Sequence, residues 1–345
     1  MELFDATIRD GSYYVDFKFS SDDVTEMVHR ISKLGFKYIE IGHGQGLNAS
    51  SPENGVSMQS DLEYMIAANK TAGKSKIGFF CIPGIARMED LVLASENRMD
   101  FVRIGANADD IEKTKKYVVK AKELGFEVMV NFMKTYIITP ELFAEKAARI
   151  QEWGADCVYI VDSSGGMLPE ELEKYIQRTK EKCDIKLGFH GHNNLGMAVY
   201  NCIKALELGV DYLDTTMQGI GRSIGNTMAE ALVMSLEKKG INTGFDIPRL
   251  LEYGYYINQN IIKRPAMNPL DLICGYADFH SSNLKHIYKC CMEMHVDPLR
   301  LIIAYSKEDK KGIDREKLRS IAEKLPIDSE ENPYDFRQYF SNIYN

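Results

Sequence analysis

The chain has no stretch of about 18 apolar residues, so a membrane-spanning helix is not expected. A secretory leader is not expected, since "MELFDATIRD" carries charge where an apolar segment would be needed, and a cytoplasmic location is the expectation. Basic charge is scarce as well. Forty-two Lys and Arg face 50 Asp and Glu, a net charge of -8. The longest basic runs, near Lys115 and Lys310, are interrupted by acids, so nothing neutralises a nucleic acid in bulk. Seven cysteines show no CxxC spacing, and the adjacent Cys290 and Cys291 are poorly placed to bridge. Reduced thiols that pack are expected. The sequence also lacks a GxGxxG loop after its first apolar run, where an open nucleotide-binding sheet would carry one; "RDG" stands there instead. Repeats and low-complexity segments are missing too.

What the chain does have is rhythm. Short apolar runs at 2–7, 38–42, 76–82, 100–105, 126–132, 156–161, 185–192 and 210–216 read as strands. Helical patterns fill the spaces, at 22–35, 60–72, 87–97, 109–124, 140–153, 169–182 and 195–208. Val24, Met27, Val28, Ile31 and Leu34 show the spacing that buries one helical face. Gly35, Gly125, Gly154 and Gly209 each follow such a stretch, where a left-handed helix cap is needed. Eight βα units predict a closed TIM (β/α)₈ barrel over residues 1–261. Past about residue 245 the rhythm stops. "IPRLLEYGYYINQNII", "SNLKHIYKCCMEM" and "REKLRSIAEKL" read as helices, and "DSEENPYDFRQYFSNIYN" is a polar, aromatic tail. Residues 262–345 are therefore expected to form a helical C-terminal extension.

In such a barrel the reactive groups gather at the C-terminal ends of the strands. Arg9, Asp10, Glu40, His43, Arg103, Asp162, Ser163, His190, His192 and Asn226 fall there. "HGH" at 190–192 is the sharpest signal. On a strand these imidazoles share a face about 7 Å apart at the backbone, close enough to grip one ion. Alone, the pair reads equally as two histidines bonded to backbone; Asp10, on an adjacent strand once the barrel closes, favours the ion. Asn226 adds an amide oxygen, or holds a glycine-rich turn. Two imidazoles, a carboxylate and an amide suit octahedral Mn²⁺ or Mg²⁺, with Zn²⁺ and Co²⁺ as alternatives. Arg9 would aim a guanidinium at whatever the ion binds, or pair with Glu40, and the two roles are compatible. "GIGRSIGN" has the look of a phosphate cradle, yet a glycine loop alone is weak support.

The stretches "DATIRDG", "IEIGHGQGL", "VYIVDSSGGML", "GFHGHNNLGMAVYN" and "GIGRSIGN" resemble the motifs of the DRE-TIM metallolyase superfamily, whose barrels are HMGL-like. The branch most similar is that of 4-hydroxy-2-oxovalerate aldolase, the pyruvate-forming class II aldolases. The resemblance spans residues 3–240 and continues patchily to "CGYADFHSSNLKHI". It implies a divalent metal, usually Mn²⁺, on Asp10, His190 and His192. It implies a 2-oxo acid bound by the ion and Arg9, with Ser163 near its carboxylate, and a pyruvate enolate left by retro-aldol cleavage. It also implies an acylating aldehyde dehydrogenase as a partner met through the C-terminal region, the least similar part here. A homodimer through the same extension is a further expectation.

Two positions depart from that pattern. The aldolases carry a histidine two residues after the RDG glycine, and here it is Tyr13; they carry a tyrosine before "SSF", and here "FHSSN" has His280. Histidine titrates near 6.5 and tyrosine near 10. His280 is thus expected to accept the hydroxyl proton, with Tyr13 positioning or relaying it and Tyr14 packing. The competing reading is a changed substrate that no longer needs the pair. The exchange and the "GANADD" loop suggest an aldehyde other than acetaldehyde, larger or sugar-like. Two rivals stand beside the aldolase. A Claisen-type acyltransferase, like the isopropylmalate and homocitrate synthases, would release free thiol from acetyl-CoA. A catalytically silent scaffold would ignore metal and pyruvate.

Overall fold

The computed structural model describes residues 1–262, 269–327, 337 and 340. The apolar runs become β1 (Glu2–Asp5), β2 (Tyr38–Ile41), β3 (Lys76–Cys81), β4 (Phe101–Asn107), β5 (Glu127–Met133), β6 (Cys157–Asp162), β7 (Lys186–Gly191) and β8 (Tyr212–Thr215). All pair in parallel with their sequence neighbours, and β8 pairs with β1, so the barrel closes in chain order. Helices cover its outside. The one over Ser21–Leu34 starts on a reciprocal cap in which Ser20 accepts from the Asp23 N–H and Asp23 accepts from Ser20. It stops at Gly35, whose φ of 100° only a glycine adopts freely.

Two sequence expectations change. The first strand does not run to residue 7. The Asp5 carboxylate accepts from the Thr7 N–H at 3.0 Å and the Thr7 hydroxyl at 2.8 Å, and this local bond turns the backbone out of the sheet. Thr7–Gly11 then forms a short helix carrying Arg9 and Asp10 over the mouth. The expected helix at 109–124 divides instead at Thr114, into a 3₁₀ segment (Ala108–Thr114) and a helix (Lys115–Glu123). Asp110 lies outside helical geometry, and the Thr114 hydroxyl bonds the Ile111 carbonyl at 2.6 Å.

The barrel interior is layered, because side chains two apart on a strand share a face. The lower layer is mostly aromatic: Phe4, Tyr38, Phe101, Tyr159 and Tyr212 form one buried cluster with Met129 and Cys157. One step along the strands the charged layer begins, with Glu40 after Tyr38, Arg103 after Phe101 and Asp214 after Tyr212. Arg103 is fully buried, its guanidinium 4.7 Å from the Phe4 ring centre and 4.2 Å from that of Tyr159. The site stands on this floor.

The C-terminal region is helical, with a separate buried cluster that includes Leu284, Ile287, Leu301, Ile302 and Tyr305. Two of its helices escaped the sequence reading, Pro269–Tyr276 and Pro298–Ser306. The second is capped by Asp297, which accepts from the Arg300 N–H at 2.9 Å. The region meets the barrel at its mouth. The Lys134 ammonium donates to the Lys311 carbonyl at 2.5 Å, and Lys311 pairs with Asp109 at 2.7 Å. The 328–345 tail lies outside the described residues apart from positions 337 and 340. All seven cysteines are unbridged, and no helix among the described residues is long and apolar enough to cross a membrane.

Candidate active site

The short helix after β1 and the end of β7 bring Asp10, His190 and His192 together. One ligand atom from each lies within 4.8 Å of the others, and all three residues are buried. His190 and His192 stand edge to face, ring centres 5.2 Å apart. The His190 Nδ1–H donates to Asp214 Oδ2 at 2.7 Å, which holds the ring so that Nε2, the nitrogen that would give up its proton to a metal, faces Asp10 3.5 Å away. His192 Nδ1 is buried without a hydrogen-bond partner. A buried ring nitrogen without a partner, beside an aimed imidazole and a carboxylate, suits a divalent cation. Asn226 closes the group, its Nδ2 donating to Asp10 Oδ2 at 2.6 Å while its Oδ1 is buried and unpartnered. Turned over, that amide would present its oxygen to an ion.

Beneath the triad the charges form a closed ring. Arg9 Nη1 lies 3.1 Å from Asp10, and Arg9 Nε donates to Glu40 at 2.7 Å. Glu40 also accepts from Arg103 at 3.1 Å, Arg103 reaches Asp214 at 2.5 Å, and Asp214 returns to His190. Arg9 therefore both pairs with Glu40 and faces the cavity, as the sequence reading allowed. Burial alone would raise the Asp10 carboxyl, yet Arg9 and the two imidazoles outweigh it and hold the pKa well below the ordinary range. Burial also pulls His190 down, but its bonds to Asp10 and Asp214 bring the net shift upward. His192 lacks such bonds, and burial takes it down to about 4. It is neutral near pH 7.

The mouth is a cavity of about 240 Å³ lined by Arg9, Asp10, His190 and His192 on one side and Tyr13, Lys134, Ser163, Arg222, His280 and Ser282 on the other. Of the residues expected at the site, Arg9, Asp10, Tyr13, Ser163, His190, His192 and His280 line it; Asn226 touches Asp10 from behind, and Glu40, His43, Arg103 and Asp162 are not among its lining residues. The Ser163 hydroxyl accepts from the Lys134 N–H at 2.8 Å. His280 Nδ1 accepts from the Ser282 N–H at 3.2 Å and lies 2.8 Å from the Ser282 hydroxyl. Tyr13 packs against Gly44, where a Cβ would come within 2.3 Å of its ring, so only glycine fits. A wider cleft of about 920 Å³ outside the barrel, lined by Lys113, Lys116 and Glu123 among others, has no comparable convergence of ligating groups.

His43 lies outside this chemistry. Its Nε2 donates to the Gly55 carbonyl at 3.1 Å, its Nδ1 accepts from the Gln45 N–H at 3.0 Å, and its ring stacks on Phe17. Burial holds it near pKa 4, a neutral pin for the "HGQGL" loop. "GIGRSIGN" is a tight turn in which the Gly219 carbonyl accepts from the Asn226 N–H at 3.0 Å and the Arg222 carbonyl from the Gly225 N–H at 3.1 Å. It turns back so that His192 and Asn226 pair as a bridge, and it aims Arg222 at Tyr13, 5.0 Å above the ring centre, with Nε on the Ser281 hydroxyl. The sequence reading missed Asp214, Lys134, Arg222 and Ser282. Asp214 was within reach, since it follows Tyr212 as Glu40 follows Tyr38.

Gly221 gives a test of the Asn226 contact. A Cβ there would stand 2.3 Å from Asn226 Nδ2. Gly221→Ala is expected to push the amide off Asp10 and weaken Mn²⁺ binding about 10-fold or more, as losses around metal ligands do. Calorimetric titration with Mn²⁺ would read this, and unchanged affinity would remove Asn226 from the site.

Comparison with known proteins finds relatives over most of the chain. The chain is 36% identical over 300 residues to 4-hydroxy-2-oxovalerate aldolase of Thermomicrobium roseum, covering 87% of this chain and 84% of that one. It is 33% identical to oxaloacetate decarboxylase of Mycobacterium tuberculosis over 289 residues, 83% of this chain and 84% of the other. Among solved structures, the N-terminal domain of a provisionally named aldolase from Bacteroides vulgatus matches with a TM-score of 0.72 at 25% identity, over 83% of this chain and 95% of its own. The HMGL-like family model matches residues 1–257, and this chain, a lyase on a TIM barrel, belongs to the HMGL-like family.

Proposed function

We propose that the enzyme is a metal-dependent pyruvate aldolase, cleaving or forming a 4-hydroxy-2-oxo acid from pyruvate and an aldehyde. The observation that carries this reading is the Asp10, His190 and His192 triad sharing one small cavity with Arg9, His280 and Tyr13. Asp10, His190, His192 and, with its amide reversed, Asn226 would hold the ion, for which Mn²⁺ is our choice. When bound, it supplies Lewis-acid polarisation of the 2-oxo group.

The remaining work falls to the chain's own groups. Arg9, fixed by Asp10 and Glu40, turns a permanent positive charge to the oxygen that becomes the enolate. The Ser163 hydroxyl takes the substrate carboxylate. His280 accepts the 4-hydroxyl proton at Nδ1, the nitrogen that faces the Ser282 hydroxyl at 2.8 Å, so Ser282 can pass the proton on. Because Nδ1 accepts from a backbone N–H, its lone pair lies on that side. Burial, with Arg222 and Lys134 nearby, holds His280 well below its usual pKa and keeps it in the accepting form. Burial raises Tyr13, which stays a phenol and acts as a donor that positions the hydroxyl.

A second reading is oxaloacetate decarboxylation, the activity named for the Mycobacterium tuberculosis relative. It leaves the same enolate but has no hydroxyl proton to remove, so the His280–Ser282 pair favours the aldolase. The cavity also lies below the ~300 Å³ at which ligand sites usually begin, which disfavours a bulky acyl thioester.

The test has two arms. With Mn²⁺ and pyruvate in D₂O, exchange of the C3 methyl protons is expected; with 4-hydroxy-2-oxo acids, pyruvate release coupled to NADH oxidation. His280→Ala should slow release about 100-fold or more, and Tyr13→Phe less. Neither exchange nor release, or thiol release from acetyl-CoA in their place, would end the aldolase reading. Full activity in His280→Ala, with loss in Tyr13→Phe, would reverse the two roles.

A further inference from the structure

The cavity holds more positive charge than a pyruvate aldolase with a neutral aldehyde needs. Arg9, Lys134 and Arg222 line it, and Asp10 is the single carboxylate among its lining residues. Arg9 is matched by Asp10 and Glu40. Neither Lys134 nor Arg222 lies within ion-pair distance of a carboxylate among the described residues. Lys134 is bonded through its ammonium to the Lys311 carbonyl, and Arg222 through Nε to the Ser281 hydroxyl. The remaining nitrogens of the Arg222 guanidinium are given no partner by these contacts. Both cations are partly buried, with Asp109 and Asp309 acting on Lys134 only from beyond ion-pair distance, and an incompletely matched cation costs more there than in water.

Their position says which half of the substrate they serve. Arg222 lies over the Tyr13 ring and is bonded to Ser281, the neighbour of His280. In the proposed reaction Tyr13 and His280 flank the 4-hydroxyl, so Arg222 stands on the aldehyde side of the breaking bond. The 2-oxo acid end is served by Arg9 and Ser163. Lys134 reaches the same mouth from the loop after β5, and its charge and that of Arg222 both act on His280.

We propose that the aldehyde partner carries an anionic group of its own, a carboxylate or a phosphate beyond the carbonyl carbon, bound by Arg222 with Lys134. This rests on the aldolase reading and names its substrate class. In cleavage the 4-hydroxyl proton passes to the Ser282–His280 pair and the O–H electron pair becomes the aldehyde C=O. The C3–C4 pair moves into the pyruvate enolate, a proton returns at C3, and the anionic group leaves unchanged on the aldehyde. An anion seated there also offsets the two cations that oppose protonation of His280. Oxaloacetate uses the site less well, because cations that hold its second carboxylate resist its departure as neutral CO₂.

Matched aldehydes test this with the wild-type enzyme, Mn²⁺ and pyruvate: 4-oxobutanoate against butanal, and glyceraldehyde 3-phosphate against glyceraldehyde. In at least one pair the charged member is expected to show about 30-fold higher kcat/KM, the scale of a charged hydrogen bond, and which pair does so separates carboxylate from phosphate. Arg222→Ala should collapse that ratio toward one, and Arg222→Lys should keep part of it. Pyruvate methyl exchange in D₂O distinguishes the two levels of failure. Exchange with equal use of charged and neutral aldehydes overturns the anionic partner alone, as does oxaloacetate turning over faster than every adduct. Loss of exchange overturns the aldolase and this inference together.

Discussion

Asp10→Asn is expected to leave a folded protein that no longer retains Mn²⁺ on dialysis and has lost at least about 10³-fold of its lyase rate. The side chain keeps its size, and the Asn226 amide beside it keeps a polar neighbour. What disappears is charge. Asp10 is the single carboxylate among the three candidate ligands, held ionised despite full burial because Arg9, His190 and His192 surround it. Without it, two imidazoles beside a guanidinium repel a cation instead of binding one. Metal content after dialysis, measured by mass spectrometry, and coupled pyruvate release check the two halves. A variant that keeps both metal and rate would remove Asp10 from the site. Proton linkage adds a sign. His190, whose bonds to two carboxylates outweigh burial, gives up its proton at higher pH than a free imidazole, and a metal must displace that proton, so Mn²⁺ affinity in the wild type should rise with pH.

The barrel was legible because each βα unit repeats the same local physics: an apolar strand, a periodic helix, a glycine where the helix must end. The meeting of His190 and His192 beside Asp10 was legible because histidines two apart on a strand face one way. What the sequence could not show is what depends on chain reversal. Arg222 sits in a glycine-rich loop that reads equally as a turn or a cradle, and its direction is set by the His192–Asn226 bridge and by Ser281 across the mouth. Lys134 follows β5 with a left-handed backbone (φ 55°) that no residue-type preference for lysine foretells. The run at 2–7 reads as strand to its end, and nothing in its pattern marks Ala6 and Thr7 as leaving the sheet for the Thr7–Gly11 helix. Only the Asp5–Thr7 bond, a local competitor with the ladder, marks the break.

Arg103→Met is expected to lower stability by about 3–5 kcal/mol, read as an earlier midpoint in urea unfolding. Arg103 is not among the residues lining the cavity, lies at zero exposure, and bonds directly to both Glu40 and Asp214 in the ring of charges. Methionine fills much of its volume between Phe4 and Tyr159, so the loss is electrostatic: two buried carboxylates keep only Arg9 and His190 as partners. The same change should cost activity by another route. Asp214 fixes the His190 tautomer, and a carboxylate released from Arg103 no longer holds that ring at one angle. A further variant separates the two effects. Replacing the trio together, Glu40→Leu with Arg103→Met and Asp214→Leu, removes the buried charges along with their desolvation cost and should regain much of the lost stability. It should not regain the rate, because Arg9 and His190 have then lost the carboxylates that aim them. A trio variant both stable and fully active would mean that the ring serves neither Arg9 nor His190.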